Sequence, residues 1–202
     1  LTGLESALYV FKSSGQYTGS YASYVAGIGN NGGSSTLPVA QGFFVRTAAG
    51  QTGSLSFTNA ERLTSDPGTA FQRNTADQRP LLALTLSNNV AANQTTVYFD
   101  AAATSAFDAN SDAAALPAPN GLTLATEAGA EALAINGQPL LTGTDVLLPL
   151  RLAAAPGSYT LRVDALNNLP TGYHAYLRDA VTGSFTDGDP VDVVGPDGTV
   201  IA

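Results

Sequence analysis

The segment Asp108-Ala-Asn-Ser-Asp112 sets three oxygen-bearing side chains, Asp108, Asn110 and Asp112, at alternate positions. Calcium loops present their ligands with that spacing, because calcium takes hard carboxylate and carbonyl oxygens. The Gly-x5-Glu that completes an EF-hand does not follow. Asp187, Asp189, Asp192 and Asp197 make a second acidic cluster. Calcium is thus the one cofactor this sequence offers, weighed against the ordinary use of Asp and Asn to cap turns through side-chain hydrogen bonds. The same acids are the only basis for a hydrolase, and nothing fixes the carboxylate separation that splitting a glycoside needs.

Tyrosine is the other candidate. Tyr9, Tyr17, Tyr21 and Tyr24 fall within the first 24 residues. Tyr17 and Tyr21 share strand parity and are the candidate platform for a glycan, since such rings join an apolar body to a polar tip. The alternative is cross-strand packing, which aromatic rings favour, and the lack of tryptophan weakens the sugar reading. Gly27-Ile-Gly-Asn-Asn-Gly32 has the letters of a dinucleotide fingerprint. That fingerprint needs a helix N-terminus to hold the pyrophosphate, and Gly33-Ser-Ser-Thr-Leu-Pro38 carries no helical pattern. It reads as a Gly/Asn loop. His174 is the single histidine, with no Gly-x-Ser-x-Gly elbow to partner it, and there is no cysteine. Triad, thiolate and zinc chemistry therefore lack their residues. Asn93-Gln-Thr95 is a formal glycosylation sequon.

The elements that must position these groups are strands. Among 202 residues, 44 % are apolar and 12 % charged, with 21 Gly and 11 Pro and a net charge of −8. Few charges and many aliphatics exclude disorder, and a chain this acidic has no footprint for nucleic acid. No apolar run approaches the ~18 residues of a membrane-spanning helix. The chain starts without a basic leader and without methionine, as a processed or excised segment would. Strands are expected at Ala7–Phe11, Tyr17–Val25, Gln41–Arg46 and Gly53–Thr58, the last two joined by a hairpin loop at 48–52. A turn-rich stretch over 64–79 follows. Pro80–Leu86, Thr95–Asp100, Leu122–Thr126, Ala132–Ile135, Val146–Leu152, Ser158–Leu166, Ala175–Arg178 and Gly183–Thr186 are further strands, and Ala101–Ala115 is expected to hold one or two helical turns. Asn136-Gly137 reads as one of the turns between them. Short strands with turns every 8–12 residues predict an all-β chain, an antiparallel β-sandwich of jelly-roll or immunoglobulin-like type. Two lobes are expected: residues 1–65, a linker at 66–79, and a sandwich at 80–190. Residues 191–202 are expected to form a C-terminal strand or hairpin, completing this sandwich or a neighbour's.

The ordered set Tyr21-Ala-Ser-Tyr-Val25, Asn31-Gly-Gly-Ser34, Gln41-Gly-Phe-Phe-Val45, Val97-Tyr-Phe-Asp100, Phe107-Asp108 with Asp112-Ala113, Leu133-Ala-Ile-Asn136, Gly157-Ser-Tyr-Thr-Leu161 and Tyr176-Leu-Arg-Asp179 spans roughly residues 7–187. It resembles the β-sandwich region preceding the C-terminal sorting domain in secreted proteins of Bacteroidota, the substrates of type IX secretion. The family's lysine-leucine pair after the second acid is Ala115-Leu116 here, and its closing aromatic and Arg-Phe strands are replaced by 191–202. The resemblance implies an extracellular or cell-surface module without catalysis of its own. A sandwich lacking its closing strand exposes an edge, and exposed edges pair with other chains. The expected function is a structural or adhesive module that associates with copies of itself or with neighbouring domains, up to filaments. A carbohydrate-binding module is the alternative, and a hydrolase the second.

Overall fold

A computed structural model describes residues 2–63, 77–178, 183, 185–187 and 191–193. The chain is all-β: no α-helix occurs among the described residues, and Asn59–Glu61 makes a single 3-10 turn capped by Thr58. Strands β1 (Leu8–Gly15), β2 (Thr18–Val25) and β3 (Ile28–Asn30) form an antiparallel three-stranded sheet. The second sheet draws on β4 (Leu81–Ser87), β5 (Ala92–Phe99), β6 (Ala113–Ala114), β7 (Thr123–Ala128), β8 (Glu131–Gln138), β9 (Leu150–Ala153) and β10 (Tyr159–Asn167). A two-stranded ribbon, β11 (Tyr176–Arg178) with β12 (Phe185–Asp187), follows, and β13 (Val191–Val193) then pairs with β10. The order across the second sheet is β13-β10-β4-β5-β8-β7-β9, with β6 alongside β8.

Alternation places the two cores. Leu84 and Leu86 of β4 point to one face, with Leu124 of β7 and Leu161 of β10. Leu81 points to the other face, with Tyr98 and Ile135. Strand β7 also packs on β4 and β5, which are not its hydrogen-bonded neighbours, so the large sheet curls around the first of these cores. The second core is shared between the sheets: Ala7, Tyr9, Val25 and Ile28 pack on Tyr98, Ala113 and Ile135. The segments on either side of the 66–79 stretch thus bury one another's apolar faces.

Several expectations change. The large sheet is mixed, because β5 and β8 run parallel, Thr96 beside Ile135 and Tyr98 beside Gly137. Asn136-Gly137 lies inside β8 instead of forming a turn. A Cβ on Gly137 would come within 3.0 Å of Ser111 Cβ and the Tyr98 ring, so the glycine permits a close approach. Gln41–Arg46 and Gly53–Thr58 do not pair with each other. They meet the N-terminal segment through single bridges, Phe44 with Tyr9, Thr47 with Leu4 and Ser54 with Thr2. Residues 101–112 form turns instead of helix, since Asp100 and Asp108 accept N–H groups two residues on, from Ala102 and Asn110. Such local bonds compete with helical ones.

The Gly27–Gly32 segment holds β3 at its centre and opens no helix. Its neighbour Gly33 is pressed on β2: an added Cβ would stand 1.9 Å from the Ser23 carbonyl oxygen. Backbone cannot move aside as a side chain can. Gly33→Ala is therefore expected to cost about 1–3 kcal/mol, read from the midpoint of urea unfolding; an unchanged midpoint would contradict the close approach.

Candidate functional site

The Asp108–Asp112 loop is built inward. Asp112 is 0 % exposed. One carboxylate oxygen accepts the Asp108 N–H at 2.6 Å and the other the Gly137 N–H at 2.7 Å. Burial pushes the carboxyl up to about 6, against the opposing pull of these two N–H groups. Asp108 spends its own oxygens on the Asn110 N–H at 2.9 Å and the Ser111 hydroxyl at 3.4 Å. Asn110 turns its oxygen to the Ser6 hydroxyl, 2.9 Å away. The Tyr98 hydroxyl donates to the Ser111 carbonyl at 2.8 Å. All three candidate ligands lie in one loop, and each described side-chain oxygen meets a protein donor. Among the described residues, no group of three or more His, Asp and Glu side chains is gathered as a metal would need.

The other candidates are dispersed. Tyr17 sits in the β1–β2 turn with φ of 64° and is 85 % exposed, so it has no strand parity with Tyr21. Tyr21 lies in β2 and packs edge-on between Phe11, at 5.3 Å, and Phe44, at 5.8 Å. His174 is exposed two residues before β11 and lies 6.2 Å from the Tyr176 ring. Asn93 of the sequon is in β5, where its oxygen accepts the Leu124 N–H at 3.2 Å. Asp187 ends β12 and Asp192 lies in β13. Asp189, Asp197 and any hairpin over 194–202 lie outside the described residues.

Two residues without any signal in the sequence tie the sheets together. Asn30 of β3, 1 % exposed, donates to the Gln94 carbonyl and accepts from the Thr96 hydroxyl, both at 2.9 Å. Arg79 stacks on the Tyr98 ring at 4.6 Å. It donates to the Ala26 carbonyl at 2.9 Å and bridges Asp77 and Asp100. Hydrogen bonding to Asp77 raises the guanidinium further, and the same bond holds the Asp77 carboxyl below its usual range. Only an apolar periodicity is visible from sequence, so a lone Asn in a glycine loop and a lone Arg before a strand carry no flag.

The ends of the large sheet complete the surface. Strand β9 pairs with β7 alone among the described strands, and β13 covers Tyr159–Leu161, three of the nine residues of β10. Ahead of β9 in the chain, Leu140, Val146 and Leu147 are exposed, Leu147 to 75 %.

A model of one protein family, described as a domain of unknown function (DUF8693), matches residues 4–188. No curated protein and no solved structure matches the chain. The matched span takes in β1 to β12, and β13 lies beyond it. On that coverage, the chain belongs to the DUF8693 family.

Proposed function

We propose that the chain is a non-catalytic structural or adhesive module of an extracellular surface protein. Its two sheets pack as a β-sandwich, and it joins copies of itself or neighbouring domains through the ends of the large sheet. The observation that carries this reading is the β9 edge with exposed Val146 and Leu147 ahead of it in the chain. Backbone N–H and C=O groups along an edge strand are a template for another strand, and exposed aliphatics next to them add burial on pairing. The polar side chains of the acidic loop hold the loop itself, which suits a scaffold. The test is light scattering across a concentration series. The expected result is concentration-dependent growth that a Val146→Lys/Leu147→Lys double variant suppresses. A strictly monomeric chain at every concentration, with no filaments in micrographs, would overturn it.

A second reading, a carbohydrate-binding module, is favoured by Tyr17 at an exposed hairpin tip. It requires polysaccharide pull-down that fails in Tyr17→Ala, and equal retention by both proteins removes it.

A further inference from the structure

A strand in a sheet has two hydrogen-bonding edges, and among the described strands β9 uses only the one toward β7. The Glu127 N–H donates to the Pro149 carbonyl at 3.0 Å, which fixes the alternation of that ladder. Arg151 and Ala153 therefore turn their N–H and C=O groups toward β7, and Leu150 and Leu152 turn theirs outward. The leucine side chains lie partly buried on the core that holds Leu122, Leu124 and Leu161. Arg151 stands on the opposite, exposed face, paired with Glu127 at 2.8 Å. It is the one charge in the run Val146-Leu-Leu-Pro-Leu-Arg-Leu-Ala-Ala-Ala-Pro156. Most of that run is exposed, with bulky aliphatics before Arg151 and alanines after it. The other end of the sheet is guarded. Strand β13 covers the start of β10, and a register shift between Val163 and Ala165 makes a bulge at Asp164. Arg162 pairs with the Asp164 carboxylate, which also accepts the Thr85 hydroxyl and the Gln94 amide. Bulges and charges of this kind keep an edge from taking another strand.

We propose that β9 is a two-fold interface: it pairs antiparallel with β9 of a second copy of this chain, about an axis at Arg151, and the assembly closes at the dimer. The proposal rests on the self-association read above and names its partner and register. The outward backbone groups set that register. When Leu150 of each copy meets Leu152 of the other, every outward N–H and C=O of the two strands is satisfied. Residues equidistant from Arg151 then face each other. Leu147 meets Ala155 and Leu148 meets Ala154, large against small on both sides of the axis. This chain itself carries the complementary order, which selects a second copy as the occupant. The inward leucines of the two copies abut, so one contact completes the cover of both cores. Like charges meet only at Arg151, and each guanidinium already has its own Glu127 carboxylate. An isologous contact uses both β9 edges and leaves the guarded β10 ends outermost, so growth stops at two chains.

The chain has no cysteine, so a single introduced thiol reports on this contact alone. In the proposed register the two Arg151 positions form a pair without ladder hydrogen bonds, with Cα atoms about 4.5 Å apart. A disulfide spans that distance. Arg151→Cys is therefore expected to become a disulfide-linked dimer under mild oxidation, seen on a non-reducing gel. Ala153→Cys, on the same face, would stand roughly 13 Å along the strand from its counterpart and is expected to run as a monomer. Sedimentation equilibrium of the parent is expected to reach a limiting mass of two chains. Equal cross-linking of the two variants, or none in Arg151→Cys, overturns the proposal, and a parent that still associates keeps the broader reading. Growth of the parent past two chains overturns closure at the dimer. A parent that is monomeric at every concentration removes both readings. Both substituted positions are exposed, and the limiting mass of the parent tests the proposal without any substitution.

Discussion

Replacing Asp112 with alanine is expected to cost about 4 kcal/mol of folding stability near pH 4.5, and much less above pH 7. The side chain is wholly buried and takes two backbone N–H groups, those of Asp108 and Gly137. Truncation strands both donors at roughly 1–3 kcal/mol each. It also releases the loop whose Ser111 carbonyl holds the Tyr98 hydroxyl. The pH dependence follows from the raised carboxyl, about 6 in the fold against 3.8 for the free group. Between those values the folded chain keeps a proton that the unfolded chain has lost. Stability from this group is therefore present at low pH and falls as pH rises through about 6. Roughly two units at ~1.4 kcal/mol each make that loss about 3 kcal/mol. Alanine has no such loss, so between pH 4.5 and pH 7.5 the gap between parent and variant narrows by the part still to come, about 1.5 units or roughly 2 kcal/mol. Urea unfolding of both proteins near pH 4.5 and pH 7.5 reads it. An equal penalty at the two pH values would mean that the carboxyl titrates as if in water.

The parent's own profile has two arms. Glu5 acts in the same direction as Asp112, its carboxyl raised by burial more than Arg46 lowers it. Asp77 and Asp100 act oppositely, held low by Arg79 and by the Ala102 N–H respectively. Their contribution is present above the ordinary carboxylate range and is lost on acidification. Thermal melting is accordingly expected to peak on the acid side of neutrality, near pH 5. A melting temperature still rising from pH 5 to pH 7.5 would contradict the assignment of Asp112 as the dominant group.

The elements were legible wherever alternation was strong. Pro80–Leu86 and Ser158–Leu166 are expected strands and are found as Leu81–Ser87 and Tyr159–Asn167, because period-two leucines leave little choice of structure. Three features escaped for physical reasons. The parallel contact of β5 with β8 depends on non-local pairing that no local pattern encodes. Gly137 looks like a turn former, yet it is a strand residue that lets Tyr98 and Ser111 approach. Gly53–Thr58 alternates as a strand should, but the edge it meets is that of residues 2–9 and not its sequence neighbour. For the site, the sequence marks Asp108 and Asp112 as special without saying which way they point. Only burial separates a loop staple from a metal ligand.

Asn30→Leu is expected to detach the three-stranded sheet at a cost of about 2–5 kcal/mol. The side chain lies between the sheets, donating to the Gln94 carbonyl and accepting from the Thr96 hydroxyl. Leucine strands both partners, and each unpaired group costs roughly 1–3 kcal/mol. The two side chains share the same branched heavy-atom skeleton, so a cavity is not the cause. The adjacent Asn31 N–H to Gln94 side-chain bond, at 2.6 Å, and the Arg79 to Ala26 bond then remain as the polar ties between the sheets. The loss is local: hydrogen exchange is expected to accelerate first in β2 and β3, while β4 and β5 keep their protection through each other. Asn30→Asp separates hydrogen bonding from shape. At neutral pH a carboxylate still accepts from Thr96 but sets a second acceptor against the Gln94 carbonyl, and the variant is expected to be as unstable as leucine. At low pH the protonated carboxyl donates in place of the amide, and stability is expected to recover relative to Asn30→Leu. Uniform acceleration across both sheets, or an aspartate that fails to recover on acidification, would show that Asn30 does not pin β3 to β5.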